Sequence, residues 1–195
     1  MVQRERLKYG NLNQRLIPHP PMLSGESEEE FLRLYSALED LIEPRDILEE
    51  MLVAEVAASL WEILRLRRFK ALVIENQRRS ALSSLLWYRL QVMQEEEADR
   101  MSEAFFSDES ARTEVLEILK RFNLDERAIE AEAMRDVLDQ LEKADKMLVM
   151  AEARRERALR LIGDYRQELA ARCRHASELL LREGGTHGLP SKQEA

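Results

Sequence analysis

Cysteine, proline and glycine are scarce in this 195-residue chain, and each shortage excludes something. The single cysteine, Cys173, rules out an intramolecular disulfide framework and any multi-cysteine zinc site, and it suits a reducing compartment. The five prolines stand at Pro18, Pro20, Pro21, Pro44 and Pro190, and between Gly25 and Gly184 the only glycine is Gly163. Residues 45–162 therefore contain neither breaker. A β-protein of this size needs many tight turns rich in Gly, Asn and Asp. This interval is filled instead with Leu, Ala, Glu, Arg, Met and Gln, the strongest helix formers. The expected fold is all-α: an elongated antiparallel long-helix hairpin or bundle ending in a coiled-coil-like helix. Long apolar runs are also missing. Met51 to Leu64 is interrupted by Glu55 and Glu62 and is shorter than the ~20 residues of a membrane span. The start of the chain carries Arg4, Arg6, Lys8 and Arg15 with no apolar stretch behind them, unlike a secretory signal. A cytoplasmic protein without a membrane partner is expected.

What the chain has in excess is charge. Charged residues make up 35% of it, where ordinary soluble proteins have roughly 25%. Thirty basic against thirty-eight acidic side chains leave a net charge of -8, which excludes a protein that coats nucleic acid over its whole surface. The 45% apolar content excludes disorder throughout. One domain fits the length: a basic arm over 1–23, a helical domain over 24–183, and a Gly-rich flexible tail over 184–195.

Within the domain, Ser27 followed by Glu30 has capping-box spacing, and Phe31, Leu34, Tyr35, Leu38, Leu41 and Ile42 recur at helical period, so a first helix is expected over 27–42. Pro44 suits the first position of a second helix, with Asp46, Glu49 and Glu50 near its positive dipole end. That helix is apolar nearly all round from Met51 to Leu66, as a central helix would be, and is expected over 45–104, with a bend near Ser80 left open because Ser80, Ser83 and Ser84 weaken it. A short third helix is expected over 109–122 after an N-cap at Ser107 or Asp108, ending at Asn123, which tolerates left-handed backbone. Asp125 then caps a fourth, with Leu124 and Ile129 placed as a hydrophobic staple. Nothing but Gly163 interrupts that fourth helix from 126 to 183, a length of roughly 85 Å at ~1.5 Å per residue.

A seven-residue period runs along it. Met134, Val137, Leu141, Ala144, Leu148, Ala151, Arg155, Ala158, Ile162, Tyr165, Leu169, Arg172, Ala176 and Leu179 alternate as a and d positions, and twelve of the fourteen are apolar or Tyr. Such a seam demands a companion helix, in the same chain or another. Leu141, Leu148, Ile162, Tyr165 and Leu169 are the candidate interaction residues, with a homo-oligomer or a protein partner expected. Charge is also unevenly placed. Arg65, Arg67, Arg68, Lys70, Arg78, Arg79 and Arg89 stand against only Glu75, whereas 95–117 is strongly acidic. The basic segment either pairs with acidic residues across packed helices or forms a phosphate footprint with the basic arm; in the second case Arg67, Arg68, Lys70, Arg78 and Arg79 are the candidate contacts. Trp61 and Trp87 are expected as core anchors rather than as stacking platforms for bases.

Catalytic constellations are absent from the pattern. There is no nucleophile elbow, no Gly-rich phosphate loop and no Cys/His pair at workable spacing. Cys173 and His175 point about 200° apart around a helix. His175 with Glu178 is half of a carboxylate-bridged di-metal motif whose second half does not occur. No catalytic residue, metal, cofactor or small-molecule substrate is expected, and the chain is read as a non-catalytic interaction protein.

Lys8-Tyr9-Gly10, Leu23-Ser24-Gly25-Glu26, Glu30-Phe31, Pro44, Leu48-Glu49, Leu60-Trp61 and Arg65-Leu66-Arg67-Arg68 resemble a group of uncharacterised bacterial proteins. Those carry a basic leader ending in Lys-His-Gly, then Leu-Pro-Gly-Glu, then a Leu-Trp-Arg-Leu-Arg-Arg helix. The likeness covers roughly the first 75 residues. Tyr9 stands for the histidine, Ser24 for the proline and Glu62 for the arginine after Trp61, and most of the basic leader is missing. The resemblance implies a bacterial origin and a helical core. Similar Lys-His-Gly stretches occur in phage small terminase subunits and other mobile-element proteins, so the alternative it implies is a DNA-associated accessory protein of a mobile element.

Overall fold

A computed structural model describes residues 20–184, and all regular structure among them is helical. In chain order the elements are α1 (Glu28–Ile42), α2 (Ile47–Ser84), one π-helical turn (Leu85–Arg89), α3 (Glu95–Phe105), α4 (Glu109–Arg121), α5 (Arg127–Asp136) and α6 (Leu138–Gly184). None of these helices is long and apolar enough to cross a membrane. The basic arm up to residue 19 and the tail from 185 lie outside the described residues.

The helix starts show how local chemistry sets the boundaries. Ser27 caps α1, its hydroxyl accepting from the Glu30 N–H, while Glu28, Glu29 and Glu30 load the positive end of the dipole. Asp108 caps α4 by accepting from Ser110. The end of α4 is a complete Schellman motif: Asn123 adopts φ 58°, its N–H donates to Lys120 O, and Leu124 N–H donates to Leu119 O. The Asp125 carboxylate accepts from Arg127 N–H and Ile129 is fully buried just beyond, but the cap position falls one residue later than expected, at Glu126, whose side chain makes no cap bond, so the staple register does not hold.

Four other boundaries differ from expectation. Pro44 lies outside α2, which begins only at Ile47, because Asp46 is the residue that caps it: Asp46 Oδ1 accepts from the Leu48 and Glu49 N–H groups, both at 3.0 Å. The second helix stops at Ser84 instead of running to 104. Leu90 N–H reaches back to Leu85 O and Val92 N–H to Leu86 O, and Gln91 turns through φ 53°. This wide turn keeps Leu85 and Leu86 buried and leaves Trp87 and Tyr88 outside. Trp87 is thus no core anchor, whereas Trp61 is. The acidic run Glu95-Glu96-Glu97, inside the span expected for the second helix, opens α3, where the dipole favours negative charge. Finally, the long fourth helix is broken at Val137 into α5 and α6. On α5, Ile129 and Ala133 are buried, and the nearly buried Glu132 carboxylate is bound by Arg89 and Arg135, holding the short helix in the local core.

The described residues divide into two compact units, one made of 61–152 and the other of 20–60 with 153–184. In the first, Leu82, Leu85, Leu86, Ala98, Phe105, Val115, Leu119 and Ile129 form one apolar core. Beside it the middle of α2 runs antiparallel to α5 and the start of α6. Arg67 pairs with Glu152, Lys70 with Asp145, Gln77 with Asp136 and Arg78 with Glu126, so partners descend as α2 ascends. The other unit buries Phe31 and Tyr35 of α1, Val53, Ala54, Val56 and Ala57 of α2, and Ala158 and Ile162 of α6. Small residues at these positions let helices approach closely.

Candidate interaction surface

The candidate surface begins at a corner where three helices meet. Arg166 of α6 lies between the carboxyl end of α1 and the amino end of α2. Its Nη2 donates to Ile42 O at 2.8 Å, to Glu43 O at 3.2 Å and to Glu49 Oε2 at 2.8 Å, and its Nε donates to Glu49 Oε1 at 2.9 Å. One guanidinium thereby neutralises the negative end of α1 and a carboxylate that is fully buried. Glu49 also accepts from Arg45 N–H. Next to it, Tyr165 donates its hydroxyl to Asp46 Oδ2 at 2.8 Å, while Oδ1 of the same carboxylate caps α2.

The electrostatics follow from these bonds. The Arg166 hydrogen bonds hold the Glu49 carboxyl below the usual carboxylate range, and backbone N–H donation from Glu49 does the same for Asp46. Glu50, partly buried near Glu39 and Asp46, is pushed up, chiefly by burial. Burial beside Glu39 raises the Tyr35 phenol in the same way. Both oxygens of Glu49 and of Asp46 are engaged, so the corner is a pin, not an acid–base site. Sequence reading missed it. The Asp46-x-x-Glu49 spacing was visible, but the arginine and tyrosine that complete it are more than a hundred residues away.

The five candidate interaction residues divide at this pin. Leu141 and Ile162 are buried, Leu148 is partly buried, and Tyr165 is bonded to Asp46; the protein's own helices consume all four. Leu169 is 41% exposed. From 167 to 182 every residue of α6 is exposed, including Leu179 at 45% and Leu180 at 70%. The heptad seam thus continues past the pin for about four turns, roughly 24 Å at ~1.5 Å per residue, with its apolar positions open. Comparison of the chain with protein-family models, curated proteins and solved structures gives no match.

The candidate phosphate contacts are largely occupied. Arg67 pairs with Glu152 and Lys70 with Asp145; Arg78 pairs with Glu75 and Glu126 and lies over the Phe106 ring; Arg79 pairs with Glu103; only Arg68 among the five is simply exposed. The acidic 95–117 segment supplies one of these partners, Glu103, and the others come from α2 itself, from Glu126 and from α6. Cys173, His175 and Glu178 are exposed on the free end of α6, and among the described residues no group of three or more His, Cys, Asp or Glu side chains is arranged to hold a metal ion.

Proposed function

We propose that this is a non-catalytic helical interaction protein that engages its partner through the open seam of α6 beyond Arg166. The observation that carries the reading is the change along one unbroken helix: a single heptad register is covered as far as Tyr165 and uncovered from Leu169 to Leu180. The pin at Arg166 supports it, since it fixes the helix where the covered part ends. Apolar residues at seam spacing on a rigid helix provide a docking surface with little ordering cost. The alternative reading, phosphate contacts by the α2 cations, has weaker support because most of them already face carboxylates of the same chain.

Cys173 lies on the flank of the open seam and gives a direct test. In a lysate of cells that make the protein at native level, its alkylation by a maleimide should be several-fold slower than in the purified chain at high dilution. Equal rates in the two samples, with no slowing in the purified chain at high micromolar concentration either, would show that nothing covers the seam.

A further inference from the structure

Charge placement along the open seam indicates what covers it. In the heptad register Leu169 and Ala176 are a positions and Arg172 and Leu179 are d positions. One flank then carries Cys173 and Leu180, and the other carries Glu168, His175 and Arg182. The flanks differ in kind: the first is apolar, whereas the second has an acid at its start and a base at its end. Arg172 interrupts the apolar seam, but its guanidinium is drawn aside to Glu168 in an i,i+4 ion pair, leaving its methylene stem on the seam.

We propose that the occupant is the same segment of a second copy, running antiparallel. This rests on the reading of the open seam given above and names its partner. In a parallel pair each flank faces the opposite flank of the other helix, so Cys173 and Leu180 would lie against a charged row, and Arg172 would meet the partner's Arg172 in the seam. In an antiparallel pair like flanks face each other. Centred near residue 174, that arrangement sets Leu169 opposite the partner's Leu179 and Arg172 opposite the partner's Ala176, where the small side chain makes room for the arginine stem. On the charged flank Glu168 meets the partner's Arg182, and by symmetry Arg182 meets the partner's Glu168. The contact is isologous: one patch complements itself in shape and charge. Four turns of helix with two leucine pairs make a small interface, so a dimer of micromolar strength is expected.

The test uses the full chain in sedimentation velocity from low to high micromolar concentration. Wild type should shift from monomer to dimer across that range. Glu168→Arg alone and Arg182→Glu alone each create two like-charge contacts per dimer and should weaken association at least ten-fold. The double variant, and an equimolar mixture of the two single variants, should restore it. A parallel pair would not respond in this way, because residues 168 and 182 never meet in it. A chain that stays monomeric throughout, or a dimer indifferent to both charge reversals, overturns the proposal. If the chain is monomeric while Cys173 is still shielded in the lysate, a different occupant covers the seam and only the second-copy assignment falls. If Cys173 is unshielded as well, the docking reading falls with it.

Discussion

Arg166 shows how much of this architecture depends on one side chain. It satisfies two carbonyls at the end of α1 and both oxygens of Glu49, a carboxylate with no access to water. Arg166→Met keeps the volume and removes the counter-charge, leaving a buried carboxylate uncompensated, and should destabilise the protein by about 3 kcal/mol or more at neutral pH. The pH dependence has a defined sign. Glu49 and Asp46 titrate lower in the folded protein than in the unfolded chain, so their contribution is complete above the ordinary carboxylate range and is lost as the pH falls through the lowered values. Urea unfolding midpoints of wild type and Arg166→Met should therefore differ widely at neutral pH and converge in acid, where Glu49 is protonated. A gap that is independent of pH would show that the pin works by packing alone. None of this was legible from sequence. Arg166 is one arginine among many on a charged helix, and only the fold brings it to Glu49.

Elements were legible to the extent that their boundaries are set by local bonds. Ser27, Asp108 and Asn123 announce the ends of α1 and α4 because a cap or a left-handed residue acts within three or four positions. Ser80, Ser83 and Ser84 mark a weak stretch but not the π-turn that ends α2, and the break at Val137 was not legible at all, because no proline or glycine marks either. They arise where burial of Leu85, Leu86 and Ile129 in one core overrides helix propensity. Gly163 gives the opposite lesson: a residue that weakens helices sits inside α6 without interrupting it. A Cβ added there would meet no atom within 4 Å. Gly163→Ala should accordingly stabilise the protein by about 0.5–1 kcal/mol, seen as a higher melting temperature with unchanged association. A lower melting temperature would mean that the helix needs the flexibility of glycine.

For the whole molecule, composition already excluded strands, and the seven-residue period already located a seam. The period could not reveal where the seam changes owner. It is the same on both sides of Arg166, and the change depends on where α1 and α2 meet, a corner set by Pro44, Arg45 and Asp46 far away in sequence. Charge was similarly ambiguous: the basic run in α2 looks like a footprint until the carboxylates that face it are placed.

Amide hydrogen exchange along α6, recorded at low and at high protein concentration, tests the central claim most directly. Residues 141–165 should be protected equally at both concentrations, because the chain's own helices cover them, and residues 167–182 should gain protection only at the higher one. Fast exchange over 167–182 at both concentrations, or protection of 141–165 that depends on concentration, would contradict the account.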